Sequence, residues 1–311
     1  MTERSEHTPL DGPESCRRAL AAAGYIADDA VATACFLALE LDRPLLCEGV
    51  PGVGKTSLAR ALAQVLGGPL IRLQCYEGLD STHALYDWDF AAQILHVRTL
   101  EAQATSTGTA LAAAGIEDEL HRERFLVARP ILKALQAGAP VAAGAAGGRA
   151  VLLIDELDRA DDEFDALLLE VLSDWSLTIP ELGTVRAAVP PVVILTSNRT
   201  RDVHDALKRR CLYHWFDQPG PEREREVLAL HVPHAASGLR GAVVAAAGRL
   251  RAADLLKPPG TSETIDWLRA LHALRVDELD EPALRASLSA VVKDAADIPV
   301  AREVLGVTGG A

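Results

Sequence analysis

Aromatic side chains are scarce in this 311-residue chain, which has four tryptophans, four tyrosines, five phenylalanines and a single methionine. Its interior must therefore be built from aliphatic residues. A hydrophobic content of 49% supplies enough of them for one large domain or two unequal ones. Positive charge is also in deficit: 31 Lys and Arg stand against 44 Asp and Glu, a formal net charge of −13. That balance argues against the broad basic face of a DNA or RNA binder, although it leaves room for a local basic groove. The five cysteines (Cys16, Cys35, Cys47, Cys75 and Cys211) are odd in number and lack paired spacing. They read as reduced thiols rather than as a disulfide framework or a zinc knuckle. The nine histidines form no H-E-x-x-H or cysteine-paired pattern, which argues against the common transition-metal motifs. No run approaches the ~18 apolar residues of a membrane-spanning helix. The opening "MTERSEHTPLDGPES" lacks the apolar centre of a signal peptide. Residues 1–20 are accordingly expected to be a disordered tail, and the setting cytoplasmic.

What is present is an alternation of short apolar runs and helical periodicity. Apolar residues recur at helical spacing from Tyr25 to Leu41. "PLLCE" (Pro44 to Glu48), "LIRLQC" (Leu70 to Cys75), "AVLLI" (Ala150 to Ile154), "VVILT" (Val192 to Thr196) and "CLYHWF" (Cys211 to Phe216) read as five buried strands. "SLARALAQVLGG" (Ser57 to Gly68) reads as a helix closed by glycines. "FDALLLEVLSDW" puts Phe164, Leu167, Leu168, Val171 and Leu172 on one helical face. "LTIPELGTVRAAVPP" predicts a hairpin around Gly183, and "APVAAGAAGGR" (Ala139 to Arg149) a flexible loop. Beyond Pro219 the chain is helical and alanine-rich. The expectation is a three-layer α/β domain over 21–218 with a five-stranded, largely parallel sheet. An insert of short helices and loops occupies about 76–130, and a helical lid covers 219–311.

"GVPGVGKT" (Gly49 to Thr56) fits G-x-x-x-x-G-K-[ST] between an apolar strand and a helix, where the motif's chemistry requires it. Gly49, Pro51, Gly52, Val53 and Gly54 would turn backbone N–H groups around phosphate oxygens, and Ser57 continues the helix start. Lys55 supplies a cation for the β- and γ-phosphates of ATP, and Thr56 a hydroxyl for Mg2+. "VLLIDE" (Val151 to Glu156) then ends a strand on two acids. Asp155 is the candidate Mg2+ carboxylate, and Glu156 the candidate general base for an attacking water. The pair of motifs points to a nucleoside triphosphatase. Asn198, in "TSN" at the end of the next strand, either contacts the lytic water or the γ-phosphate, or caps a turn.

With these motifs in order the chain resembles the AAA+ ATPases, specifically their MoxR branch, over about Tyr25 to Trp267. "RPLLCEGVPGVGKTSLARALA" resembles the Walker A segment, "LLIDELDRADDEFDALLLEVLSD" the Walker B segment, and "LTIPELGTVRAAVPPVVILTSN" the hairpin and sensor 1 strand. "LKRRC" stands at the place of the arginine finger. "LQCYEGLD" and "VHDALKRRCLYHW" are most similar to members accessory to carbon monoxide dehydrogenase and related molybdenum enzymes. The resemblance implies a ring oligomer, a hexamer, in which Arg210, with Arg209 as runner-up, reaches the γ-phosphate of a neighbouring subunit. It also implies a von Willebrand factor A domain partner and a client metalloenzyme; the acidic balance and the lack of a long apolar run predict neither a nucleic-acid partner nor a membrane span. One departure concerns the lid. The family's sensor 2 arginine falls near Thr264, with Lys257 or Arg269 as possible substitutes.

Two further features stay open. Tyr76, Tyr86, Trp88 and Phe90 lie within fifteen residues and form either a client- or partner-binding face or an aromatic mini-core. The acids of "DELDRADDEFD" read mostly as a solvated helix start, with Asp158 and Arg159 available to an adjacent subunit. The competing functions are a DNA-remodelling ring and a monomeric P-loop kinase. The acidic balance weighs against the first and the trans arginine against the second.

Overall fold

The computed structural model describes residues 10–107, 119–137 and 148–307. Its strands are β1 (Leu45–Gly49), β2 (Leu70–Gln74), β3 (Tyr86–Trp88), β4 (Leu126–Ala128), β5 (Val151–Asp155), β6 (Ser176–Ile179), β7 (Gly183–Arg186), β8 (Val192–Ser197) and β9 (Leu212–Phe216). Five of them form one sheet in the order β2-β5-β8-β1-β9, which is the α/β fold expected from the five apolar runs. The pairings of β5 with β2 and with β8 are parallel, and their register sets Gln74 opposite Asp155 and Ile154 opposite Leu195. Every residue of β1, β5 and β8 is buried, as expected of a strand covered on both faces. β9 corrects the reading of "CLYHWF" as a buried strand. It ends the strand order, and its alternation leaves Tyr213 at 52% and Trp215 at 37% exposure.

The described chain packs as two units. One gathers 34–46 with the described part of 62–213, and the other 10–33, 47–61 and the described part of 214–311. In the first, Leu152, Ile154 and Leu195 pack with Phe164 and Leu168 of the helix Asp162–Asp174. That helix begins where Asp161 caps it, accepting the Phe164 N–H at 2.9 Å. Its expected apolar face is buried at Phe164, Leu168, Val171 and Leu172. The C-terminal part of the second unit folds as the helices Pro221–His231, Ser237–Ala252, Thr261–Ala273, Glu281–Val291 and Asp297–Leu305. They close around Trp267, whose indole N–H donates to Ser287 Oγ at 2.8 Å. This division does not follow the sequence boundary at 218/219, because the phosphate loop groups with the C-terminal helices.

Two further expectations change. Pro13–Ala22 is a helix with Cys16 and Leu20 fully buried, so the expected tail over 1–20 fails from Pro13 onward. Proline at its first position and apolar residues four apart account for it. Residues 1–9 lie outside the described residues, as do 139–147 of the expected flexible loop. Next, the insert over 76–130 contains an 18-residue helix, Phe90–Thr107, and an antiparallel pairing of β3 with β4, rather than short helices and loops alone. The hairpin around Gly183 forms as expected, from β6 and β7. Among the described residues no helix is long and apolar enough to cross a membrane.

Candidate functional site

In the second unit, β1 runs out at Gly49 into the glycine loop. Gly49 has φ 148°, and a Cβ there would sit 2.1 Å from the Phe216 carbonyl oxygen, so no other residue fits. Gly52 has φ 76°, and its carbonyl accepts both the backbone N–H of Ser262 (3.1 Å) and its hydroxyl (3.2 Å). The start of the Thr261–Ala273 helix is thereby tied to the loop. Lys55, only 6% exposed, donates from Nζ to the carbonyls of Gly49 (2.7 Å) and Val50 (2.8 Å). These partners meet the requirement that a buried ammonium be hydrogen-bonded. Lys55, Thr56 and Ser57 open the Lys55–Leu66 helix, whose first turn carries no acid to offset its partial positive charge. Pro51, Val53 and Gly54 complete the loop, and the Tyr25 ring lies 3.6 Å from where a Cβ on Gly54 would stand.

In the first unit, β5 ends in Asp155, which is 3% exposed. Its Oδ1 accepts the Thr196 hydroxyl at 2.6 Å, and its Oδ2 accepts Arg72 Nη2 (2.6 Å) and Nε (3.0 Å). Thr196 Oγ1 in turn accepts the Glu156 N–H at 2.9 Å, so one buried hydroxyl joins both acids. Glu156 has left-handed backbone angles, φ 57° and ψ 48°, which cost a residue with a Cβ roughly 1–2 kcal/mol. That turn takes it out of the strand direction, and its carboxylate pairs with Arg159 at 2.8 Å. Strain of this kind concentrates at functional positions. Arg199, which follows Asn198, shows it as well, with φ 58°.

Asn198 is placed by Asp158. The Asp158 carboxylate accepts the N–H of Asn198 (3.1 Å) and the N–H (2.9 Å) and hydroxyl (2.6 Å) of Thr200. Burial pushes the Asp158 pKa up, but the hydrogen bonds from Thr200 and Asn198 outweigh it and hold the carboxyl below its ordinary value. Asp165, fully buried, forms a two-pronged pair with Arg201 at 2.9 and 3.0 Å. These two acids are exceptions to the reading of this segment as mostly a solvated helix start, which left Asp158 and Arg159 available to an adjacent subunit. Both lie inside and brace the chain after β8.

The three cations Lys208, Arg209 and Arg210 form the last turn of the helix Asp205–Arg210. The Arg210 guanidinium reaches the Ser173 hydroxyl. Arg43, from the turn before β1, donates to the carbonyls of Arg209 (2.8 Å), Arg210 (3.1 Å) and Cys211 (3.3 Å).

Among the lid candidates, Thr264 is fully buried and accepts Arg251 Nη2 at 2.7 Å, beside the Arg251–Glu224 pair. Lys257 pairs with Asp294 at 3.0 Å and Arg269 with Asp266 at 3.2 Å. The lid residue that hydrogen-bonds to the phosphate loop is instead Ser262. The four clustered aromatics divide. Tyr86 and Trp88 pack against the first unit's core, with their rings edge to face at 6.5 Å, whereas Tyr76 and Phe90 are 44% and 64% exposed.

Arg72, Arg43 and Ser262 are the contributions that motif reading misses, and Thr196 enters it only within "TSN". Arg72 left a signal, a cation inside the apolar run "LIRLQC". Thr56 in the second unit offers a hydroxyl oxygen and Asp155 in the first a carboxylate, each an oxygen donor of the hard type that Mg2+ takes. No group of three or more His, Cys, Asp or Glu that would hold a metal occurs among the described residues.

The chain is similar to several known proteins. An uncharacterised protein of Staphylococcus epidermidis is 27% identical over 180 residues, 56% of this chain and 55% of its own length. The chain thus spans about half of that curated relative. Two solved RuvB variants of Thermotoga maritima superpose with TM-scores of 0.48 and 0.45, at 15% and 14% identity. The matches cover 87% and 90% of this chain and 71% and 70% of theirs. The family model described as an AAA domain of the dynein-related subfamily matches residues 44–211, more than half of the sequence. The chain belongs to the dynein-related subfamily of AAA domain proteins.

Proposed function

We propose that the protein hydrolyses ATP to ADP and phosphate and uses the cycle to remodel a client protein. The observation that carries the hydrolytic reading is the Asp155–Thr196–Glu156 unit, in a chain whose β1 leads into a lysine-bearing glycine loop. In this reading Gly49, Pro51, Gly52, Val53, Gly54, Lys55, Thr56 and Ser57 bind the phosphates. Thr56 and Asp155 hold Mg2+, which when bound offsets the charge of the phosphate oxygens. Glu156 takes a proton from the attacking water as the bond to the β–γ bridging oxygen breaks. Asn198 holds that water or the γ-phosphate. Arg210, or failing it Arg209, stabilises the departing charge in a neighbouring subunit of a ring, a hexamer by the MoxR resemblance. The same resemblance supports a von Willebrand factor A domain partner and a metalloenzyme client.

The test is the ATPase rate per subunit against protein concentration, with native mass recorded in ATP, for the native chain, Glu156→Gln and Arg210→Ala. A rate rising with concentration alongside a ring-sized mass, lost in both variants, is the expected result. A concentration-independent rate from a monomer that survives Arg210→Ala overturns the ring and the trans arginine. An inactive native chain that fails to bind ATP overturns the whole reading.

A further inference from the structure

The helix that carries Arg209 and Arg210 is six residues long. Alone it is too short to hold a shape, because nucleation of a helix is costly and needs more turns to recover. The Cys211 N–H reaches back to the Lys208 carbonyl at 3.2 Å, but the carbonyls of Arg209 and Arg210 have no donor from the helix itself, and three adjacent cations in its final turn repel one another. What fixes its end is Arg43, 167 residues earlier in sequence than Arg210. The guanidinium spreads Nε and Nη2 across the carbonyls of Arg210, Arg209 and Cys211. The next peptide is held from the same place, since the Leu212 N–H donates to the Pro44 carbonyl at 2.8 Å. The pair Arg43–Pro44 therefore grips four consecutive residues, 209 to 212, around the point where the Arg210 side chain leaves the backbone.

We infer that Arg43 is the positioning residue for the trans-acting arginine. It touches no nucleotide; it sets the direction in which Arg210 projects. A planar fork suits three carbonyls, whereas lysine would offer a point charge with no fixed plane. A cation also matches the negative end of the helix dipole and so tolerates the neighbouring Lys208, Arg209 and Arg210. The inference rests on the reading of Arg210 as the arginine that acts across a subunit boundary.

The experiment is subunit mixing, which separates an effect in the residue's own subunit from one in its neighbour. Arg43→Met is expected to bind a fluorescent ATP analogue with unchanged affinity and to lose roughly tenfold or more in kcat with little change in KM. Lys55→Ala is inactive because its own loop is empty of the cation, but it keeps a correctly held arginine. Mixed rings of Arg43→Met and Lys55→Ala should regain turnover that neither has alone, and Arg210→Ala mixed with Lys55→Ala is the control. If the control recovers activity and the Arg43→Met mixture does not, Arg43 acts within its own subunit and the inference fails. If neither mixture recovers, the trans-arginine reading itself is wrong. Wild-type turnover by Arg43→Met overturns the inference directly. Should Arg43→Met not fold, Arg43→Lys, which keeps charge and stem, takes its place in the same mixtures.

Discussion

Arg72 of β2 rests its guanidinium on the Asp155 carboxylate of β5, with Nη2 2.6 Å and Nε 3.0 Å from the same oxygen. The parallel register permits this, because it sets Gln74, two residues on, opposite Asp155. The candidate Mg2+ carboxylate thus carries a built-in counter-ion. Replacing Arg72 by methionine leaves a 4% exposed carboxylate side chain without its cation. Breaking a fully buried pair costs about 3–5 kcal/mol, but Arg72 is half exposed and water screens it, so a loss of about 1–2 kcal/mol is expected. Urea unfolding measures it, and an unchanged midpoint would show that the pair contributes nothing.

Thr196 joins the two acids through one hydroxyl, and Thr196→Val removes it at constant shape. The Glu156 N–H and Asp155 Oδ1 each lose a partner, which should cost about 1–3 kcal/mol in stability. Turnover at saturating ATP should fall while nucleotide affinity holds, and Thr196→Ser should restore both. Equal turnover in Thr196→Val and wild type would exclude a role in placing Glu156.

Asp158 gives a pH signature. Its folded-state pKa lies below the unfolded value of about 4, so its stabilising effect is complete above that value and is lost as pH falls through the lowered native pKa. Asp158→Asn should therefore be less stable than wild type at pH 7 by about 1–3 kcal/mol. The gap should close as pH drops below about 4. A gap that stays constant down to pH 3 would mean that the ionised carboxylate is not what holds the Asn198 turn.

The lid offers a contrast between exposed and buried cations. Lys257→Ala and Arg269→Ala remove side chains that are 62% and 55% exposed and already paired elsewhere. ATP turnover in both should stay within about twofold of wild type. Arg251→Met instead strands Glu224, 1% exposed, and should lower stability by about 3 kcal/mol in a denaturant titration. A large fall in turnover for Lys257→Ala or Arg269→Ala alone would return that residue to the nucleotide.

Five strands, a glycine loop between strand and helix, two acids at a strand end and the helical character beyond Pro219 were legible in the sequence, because each rests on a local cause. Continuous apolar runs make buried strands, glycines permit the positive φ at Gly49 and Gly52, and 3.6-residue periodicity marks the helices. The Pro13–Ala22 helix was missed because its buried face is only two residues, Cys16 and Leu20, set in a polar stretch. The acids Asp158 and Asp165 were misread because their partners, Thr200 and Arg201, lie after another strand.

What only the tertiary structure decided is which distant side chains meet. Arg72 and Asp155 are 83 residues apart, and Arg43 and Arg210 are 167 apart. No periodicity or turn rule links such pairs; the strand order β2-β5-β8-β1-β9 brings β2 beside β5, and chain packing carries the turn before β1 to the end of the Asp205–Arg210 helix. The sequence by itself determined the chemistry available to this protein. The register of its sheet and the packing of its turns decided which charge each acid and each carbonyl received.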